Sequence, residues 1–488
     1  MSSFEMESKL DEDPSVDRSL ELSGEQLQQL VSLVMSHLRE FIDSLAEQPA
    51  WEFEGAASIA RSVMEALPDK GTEPAVVLRR LFNELLPYGV NSAGPGYLAY
   101  VPGGGVPHAA VADLISGTVN RFVGLWNGAP GLAQMEVAVL RWFSDIVGYP
   151  ATAGGFFTSG GSLSIWSAIV TARRCKFQGE LSRGTLYTSN QAHHSVSKAA
   201  MFAGLPPENV RSISVDSAFR VCVDAMREYI SKDRRDGFVP FAIVGHAGTT
   251  NSGAVDDLAR LADLAAEEHL WLHIDGAYGG FFMLTERGRG LMRGIERADS
   301  ITLDPHKALF MPYGTGCLLA RDQSHLRQAH QLRGEYLMPG PDEEFFDLSD
   351  ISPELTRSAR ALRVWLPIML HGIEPFRSNL NEKLDLTELV AQRLRQLDAE
   401  LDDRLEVVSD PQLTVVAFRL VREGFTDEQN DDLNARFRNA INASRRVLLT
   451  PTRLHGRYVI RICILSFRTH IDRVEACLEE IYRAARAV

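Results

Sequence analysis

Three observations predict an α/β fold with a parallel-type central sheet, an N-terminal helical arm and a small C-terminal α+β domain. From about Pro87 to Leu370, apolar strand-like runs alternate with helix-compatible runs and glycine-rich punctuation, the pattern of parallel strands joined by crossover helices. Before this stretch, Gly24 to about Leu86 carries helical apolar spacing, as at Leu27, Leu30, Leu33 and Val34, which reads as a helical arm. After it, the helical run Leu384 to Leu401 is followed by the strand-like Leu413 to Leu420 and Tyr458 to Ile464. The expected division is therefore 1–86, 87–370 and 371–488, with Met1 to about Ser23 charged and expected to be disordered. Pro367, in the helical run 360–370 that leads out of the large domain, is expected to bend that helix or end it.

Within the central stretch the polar punctuation falls at chemically telling places. Gly154-Gly155-Phe156-Phe157-Thr158-Ser159-Gly160-Gly161-Ser162 precedes the helix-compatible run 163–173. Glycines allow close approach of the backbone to an anion, and the amides opening a helix, with the Ser162 hydroxyl, can donate to phosphate oxygens. The same residues also read as a plain turn with an N-cap. This is neither a Walker loop nor a dinucleotide fingerprint. Next, Asn190-Gln191-Ala192-His193-His194-Ser195 lies between strand-like Thr185 to Thr188 and helix-compatible Val196 to Ala203, where one imidazole can stack on a ring. Adjacent histidines diverge on regular elements and rarely share one metal ion, so no metal is expected.

The run 267–274 reads as a buried strand feeding Asp275-Gly276-Ala277. Ligands bind at the carboxyl edge of open parallel sheets, and a carboxylate there can pair with a protonated ring nitrogen. Finally, the apolar Ser300-Ile301-Thr302-Leu303 runs into Asp304-Pro305-His306-Lys307. Lysine is the side chain that forms Schiff bases with carbonyl groups.

Taken in order, these segments resemble the group II pyridoxal-phosphate-dependent amino-acid decarboxylases, the family of aromatic-amino-acid and glutamate decarboxylases. The resemblance starts near Gly96-Tyr97-Leu98 and runs through Trp126 to Pro150, the four segments above and Arg360 to Trp365, thinning toward Tyr458 to Ile462. It implies the type I fold of aspartate aminotransferase and pyridoxal 5'-phosphate as cofactor. Lys307 would be the Schiff-base lysine, Asp275 the partner of the pyridine nitrogen and His193 the ring-stacking imidazole. Gly161, Ser162 and His306 would hold the phosphate with Asp304 nearby, Thr250 would lie beside the ring and Ala277 against its other face. Tyr336 occurs where the family has a mobile-loop tyrosine, and a phenol there can deliver a proton to Cα and favour simple decarboxylation. The implied reaction turns an L-amino acid, aromatic favoured, into its amine and carbon dioxide through a quinonoid intermediate. The alternatives are a same-fold aldehyde synthase, aminotransferase or carbon–carbon lyase, and more remotely a non-catalytic binding protein.

Some positions depart from the family pattern. Asp304 stands where many animal relatives have asparagine, Ala308 where tryptophan is common, and Leu163 where an acidic or small residue is usual. Val101-Pro102-Gly103-Gly104-Gly105 replaces a bulkier segment that lines the aromatic pocket in relatives, which predicts a smaller, more flexible wall. Tyr97, Tyr100 and Trp126 are candidates for the pocket. Arg360 and Arg461 read as structural salt-bridge residues that can alternatively bind a substrate carboxylate.

Composition sets the remaining bounds. The 488 residues are 45% hydrophobic and carry a net charge of −14, which suits a globular enzyme and argues against a nucleic-acid partner. The five scattered cysteines suggest reduced thiols and a cytoplasmic location. No apolar stretch reaches membrane-spanning length. The family's arm wraps a second subunit, so a homodimer is expected.

Overall fold

The computed structural model describes residues 20–332, 334–335, 344–401 and 404–488. The charged tail expected at Met1 to Ser23 lies almost wholly outside them, as does Tyr336. By their contacts the residues fall into two units, one comprising 20–48 with 52–90 and the other 49–51 with 91–488.

The first unit is helical. Its long helix, Gly24–Asp43, opens with a reciprocal capping box in which Gln26 N–H donates to Ser23 Oγ and Ser23 N–H to Gln26 Oε1. Leu30 and Leu33 on that helix remain exposed. Shorter helical segments follow at Ala56–Ser62, Pro74–Arg80 and Leu81–Leu85.

The second unit is built on a seven-stranded sheet. Its strands are β1 (Gly154–Thr158), β2 (Gly184–Ser189), β3 (Val210–Ile213), β4 (Val239–His246), β5 (Trp271–Asp275), β6 (Ser300–Leu303) and β7 (Gly316–Ala320). They lie in the order β1-β7-β6-β5-β4-β2-β3. The central strands are covered on both faces: Leu272 and Ile274 of β5 join the core containing Phe143, Phe281 and Leu303, whereas Trp271 joins the one containing Ile165, Ile169 and Val196. Double coverage is why these strands read as nearly continuous apolar runs.

The expected parallel sheet is mixed in one respect. Strand β7 pairs antiparallel with both β6 and β1. Residues 304–315 between β6 and β7 hold only the short helix Pro305–Ala308, and a parallel return needs a crossover of a dozen or more residues, usually with a full helix. Strand β5 also begins later than its sequence suggests, because 267–270 ends the helix Leu258–Glu267. His269 adopts φ +56°. Leu270 N–H donates to Ala265 O at 2.9 Å and His269 N–H to Ala266 O at 3.3 Å, a Schellman closure with histidine where glycine is usual.

Helix Leu362–His371 contains Pro367 and stops at Gly372. Beyond it, the antiparallel strands β8 (Arg404–Val407), β9 (Val415–Val421), β10 (Thr450–Leu454) and β11 (Arg457–Cys463) lie in the order β8-β9-β11-β10. Helices Glu374–Asp398, Asp427–Asn442 and Ile471–Ala485 enclose a separate core with this sheet, centred on Val416, Phe418, Leu433 and Ile460.

Candidate active site

A cavity of about 430 Å³ opens at the carboxyl ends of β4, β5 and β6, beside the loop that follows β1. Strand β6 delivers Asp304 and the short helix bearing His306 and Lys307. Lys307 Nζ lies 3.0 Å from Asp304 Oδ2, whereas His306 Nε2 is 3.7 Å from the same oxygen. Asp304 thus acts first on the lysine. Its Oδ1 is buried with no hydrogen-bond partner among the described residues. Two glycines leave room for it: a Cβ on Gly161 would stand 2.9 Å from Oδ2, and one on Gly316 2.6 Å from Oδ1. His306 has its Nδ1 2.8 Å from Thr315 O; since a carbonyl only accepts, Nδ1 carries the proton and Nε2 is left toward the site.

Asp275 ends β5 and is buried, with Oδ1 accepting from Ala277 N–H at 3.1 Å. His193 is half-buried. Ser195 N–H donates to its Nδ1 at 3.3 Å and Ser195 Oγ lies 2.7 Å from the same nitrogen, an arrangement that assigns the ring proton of neutral His193 to Nε2. Burial, then the neighbouring His194, lowers its pKa, which favours that neutral form. The His193 and His194 rings sit 4.1 Å apart, centroid to centroid.

The loop after β1 turns at Gly160, whose φ of +152° favours glycine. Thr158 Oγ1 accepts from Gly160 N–H at 3.1 Å and lies 2.8 Å from Ser164 Oγ. This fixes the start of helix Gly161–Lys176 against the cavity. Gly161, Ser162, His193, Thr250, Asp275, Ala277, Asp304, His306 and Lys307 all line it. Every residue that the resemblance assigned to the cofactor, among the described residues, is brought together there. Tyr97, Tyr100 and Trp126 are absent from its wall. Tyr97 is buried, and burial followed by Tyr313 raises its phenol pKa; Trp126 stacks on Phe345 at 4.5 Å.

The wall also holds residues the sequence reading passed over, among them His246 and Tyr313. His246 closes the apolar run 241–245 just before Gly248-Thr249-Thr250, and a polar residue ending a buried strand at the ligand edge was the available signal. The glycines at 103–105 have a further explanation. A Cβ on Gly103 would lie 2.1 Å from His306 O, and one on Gly104 2.6 Å from Ser466 Oγ, so Gly103 permits close backbone approach to the lysine segment. Arg360 is paired bidentately with Glu354, as its structural reading anticipated.

These residues fit pyridoxal phosphate. They offer a lysine for its aldehyde, a buried carboxylate for its ring nitrogen, an imidazole and an alanine for its faces, and a glycine loop at a helix start for its phosphate. The cavity lies within the size range of small-molecule sites. A profile of the pyridoxal-dependent decarboxylase conserved domain matches residues 60–421. The chain belongs to that family. This decarboxylase is 32% identical to the aromatic-L-amino-acid decarboxylase of Bacillus atrophaeus, over 97% of this chain and 98% of that one. It is 25% identical to a phenylacetaldehyde synthase of Arabidopsis thaliana, over 94% and 96% of the two chains. The fold matches that of Oryza sativa TDC, crystallised with PLP and tryptamine, with a TM-score of 0.90 at 24% identity, covering 96% of this chain and 99% of that one. The protein is a pyridoxal-phosphate-dependent amino-acid decarboxylase, with an α/β fold and a small C-terminal domain.

Proposed function

We propose that the decarboxylase converts an aromatic L-amino acid to its amine and carbon dioxide, using Lys307, Asp275, His193 and Tyr336. The observation that carries the residue assignment is the convergence of Lys307, Asp275, His193 and the Gly160–Ser162 loop on one cavity. The aromatic preference is supported by the relative at 32% identity. Bound pyridoxal phosphate supplies a carbonyl that condenses with amines and a protonated ring that accepts the electron pair left when the carboxylate departs.

The protein does the rest. Lys307 would hold the cofactor through Nζ, and Asp304, 3.0 Å away, positions that nitrogen. Gly161, Ser162 and His306 would hold the phosphate. Asp275 would pair with the ring nitrogen and favour its proton, while His193, Ala277 and Thr250 would contact the ring. Lys307, once free, carries protons within the site. Tyr336 delivers the proton to Cα, which commits the product to the amine.

A homodimer accounts for Val111, Leu114, Ile115 and Val119, which helix Pro107–Val119 leaves exposed. A cytoplasmic location is supported by the five free cysteines, and among the described residues no helix is long and apolar enough to cross a membrane. Mass-spectrometric product analysis of the cofactor-loaded enzyme against aromatic, acidic and basic amino acids, with carbon dioxide monitored, tests the proposal. Amine from an aromatic substrate supports it; turnover confined to another class removes the aromatic assignment. The synthase at 25% identity makes aldehyde the competing product. Tyr336→Phe is expected to move product from amine toward aldehyde, and an unchanged product ratio would take Tyr336 out of the reaction.

A further inference from the structure

His246 and Asp275 occupy paired positions on the parallel strands β4 and β5, so their side chains leave the same face of the sheet side by side. Both are buried. Behind His246 stands Asp256, also buried, whose Oδ2 lies 3.1 Å from His246 Nδ1 and accepts His246 N–H at 2.9 Å. Asp256 Oδ1 accepts Val221 N–H at 2.7 Å. Both Asp256 oxygens accept, and Nδ1 of His246 is the ring nitrogen that donates to it. That leaves Nε2 of His246, which has no hydrogen-bond partner among the described residues although it is buried in the cavity wall. A buried polar nitrogen without a partner is costly, and His246 and Asp275 line the same cavity.

We propose that His246 is a positioning residue for Asp275: clamped by Asp256 and carrying a positive charge, it keeps the Asp275 carboxylate ionised for the cofactor's ring nitrogen. This inference rests on the reading of Asp275 as the partner of that nitrogen. The charges then alternate from Asp256 through His246 and Asp275 to the ring. Without His246, two buried carboxylates would share the region with no cation between them, and one would take up a proton.

The other titratable groups facing Asp275 do not fill this role. His273, two residues earlier on β5, has Nδ1 2.9 Å from Ser300 Oγ and Nε2 3.2 Å from Thr302 Oγ1, and burial pushes it down to about 4. His193 is also lowered, by burial and His194. Lys307 is engaged by Asp304. For His246, burial opposes the charge, but the hydrogen bond and charge of Asp256, with Asp275 behind them, prevail and raise its pKa.

Equilibrium dialysis of the full-length enzyme against pyridoxal phosphate, from about pH 6 to pH 8, across the ordinary titration range of histidine, tests the proposal. His246→Asn is expected to weaken cofactor binding progressively toward the acid end, relative to wild type, by up to about tenfold for each pH unit below the point at which Asp275 takes up a proton in the variant. Asp256→Asn keeps the imidazole but removes its charge partner, and should shift the profile in the same direction. Asp275→Asn serves as the reference. If Asp275→Asn weakens binding while His246→Asn and Asp256→Asn leave the pH profile unchanged, or lower affinity equally at every pH, the role of His246 is overturned. If Asp275→Asn itself binds like wild type, the reading of Asp275 falls first.

Discussion

The loop after β1 depends on a buried ion pair whose energetics can be separated by mutation. Phe157, the penultimate residue of β1, donates its N–H to Glu136 Oε1 at 3.0 Å, and its carbonyl accepts from Arg357 Nη2 at 2.9 Å. Glu136 Oε1 and Arg357 Nη2 are 2.7 Å apart, with side chains 1% and 0% exposed. Removing one member of such a pair leaves the other charge buried, at a cost of about 3–5 kcal/mol. For Arg357→Met we expect the lower end, about 3 kcal/mol, because Arg360 Nη1 still donates to Phe157 O at 3.2 Å. Glu136→Gln strands a guanidinium whose Nε and Nη1 already lack partners among the described residues, so the upper end, about 5 kcal/mol, is expected. The double variant buries no charge from the pair and should cost less than either single change. Urea unfolding followed by tryptophan fluorescence measures all four proteins, with the visible absorbance of bound cofactor recorded in parallel. Costs that simply add would show the two side chains are not coupled and refute the reasoning.

Lys307→Ala is expected to abolish both turnover and the visible absorbance band of the bound cofactor; normal turnover would remove Lys307 from its assigned role. Gly103→Ala places a methyl group 2.1 Å from His306 O, so the lysine segment must shift, at about 1–3 kcal/mol, and cofactor content after dialysis should fall. Wild-type retention would show that the chain yields there without moving Lys307. His273 takes its proton at about pH 4 in the folded protein rather than near 6.5, so the unfolded chain binds that proton first on acidification. Stability is therefore lost as pH falls from about 6.5 to 4, by about 3 kcal/mol, and His273→Gln should flatten that part of a urea-midpoint profile. An unaltered slope would assign the acid sensitivity elsewhere.

Lys307, Asp275 and the glycine loop were legible in the sequence because each stands where an apolar strand gives way to polar or glycine residues, a boundary written locally in the chain. His246 ends a strand too, but its partner Asp256 returns through a turn, and nothing in the spacing says that it pairs with His246 beside Asp275. The antiparallel course of β7 was hidden because a strand buried on both faces has the same apolar pattern in either direction. His269 concealed the end of its helix, since it adopts a conformation usually announced by glycine or asparagine. Gly103 looked like pocket space because a glycine whose hydrogen meets a distant carbonyl is, in sequence, the same as one that faces solvent.

Strand β7 lines up Gly316 with Thr158 of β1 on one side and Cys317 with Leu303 of β6 on the other. It is consequently a gauge block between two segments, the loop that bears Gly161 and Ser162 and the short helix that bears Lys307. Their separation is set by interstrand spacing, which backbone hydrogen bonds hold near 4.8 Å per step, and not by loops that can breathe. Redrawing the substrate pocket through the surrounding loops should therefore leave the cofactor's seat at the same calibration, whereas a register slip in β7 would displace both segments at once.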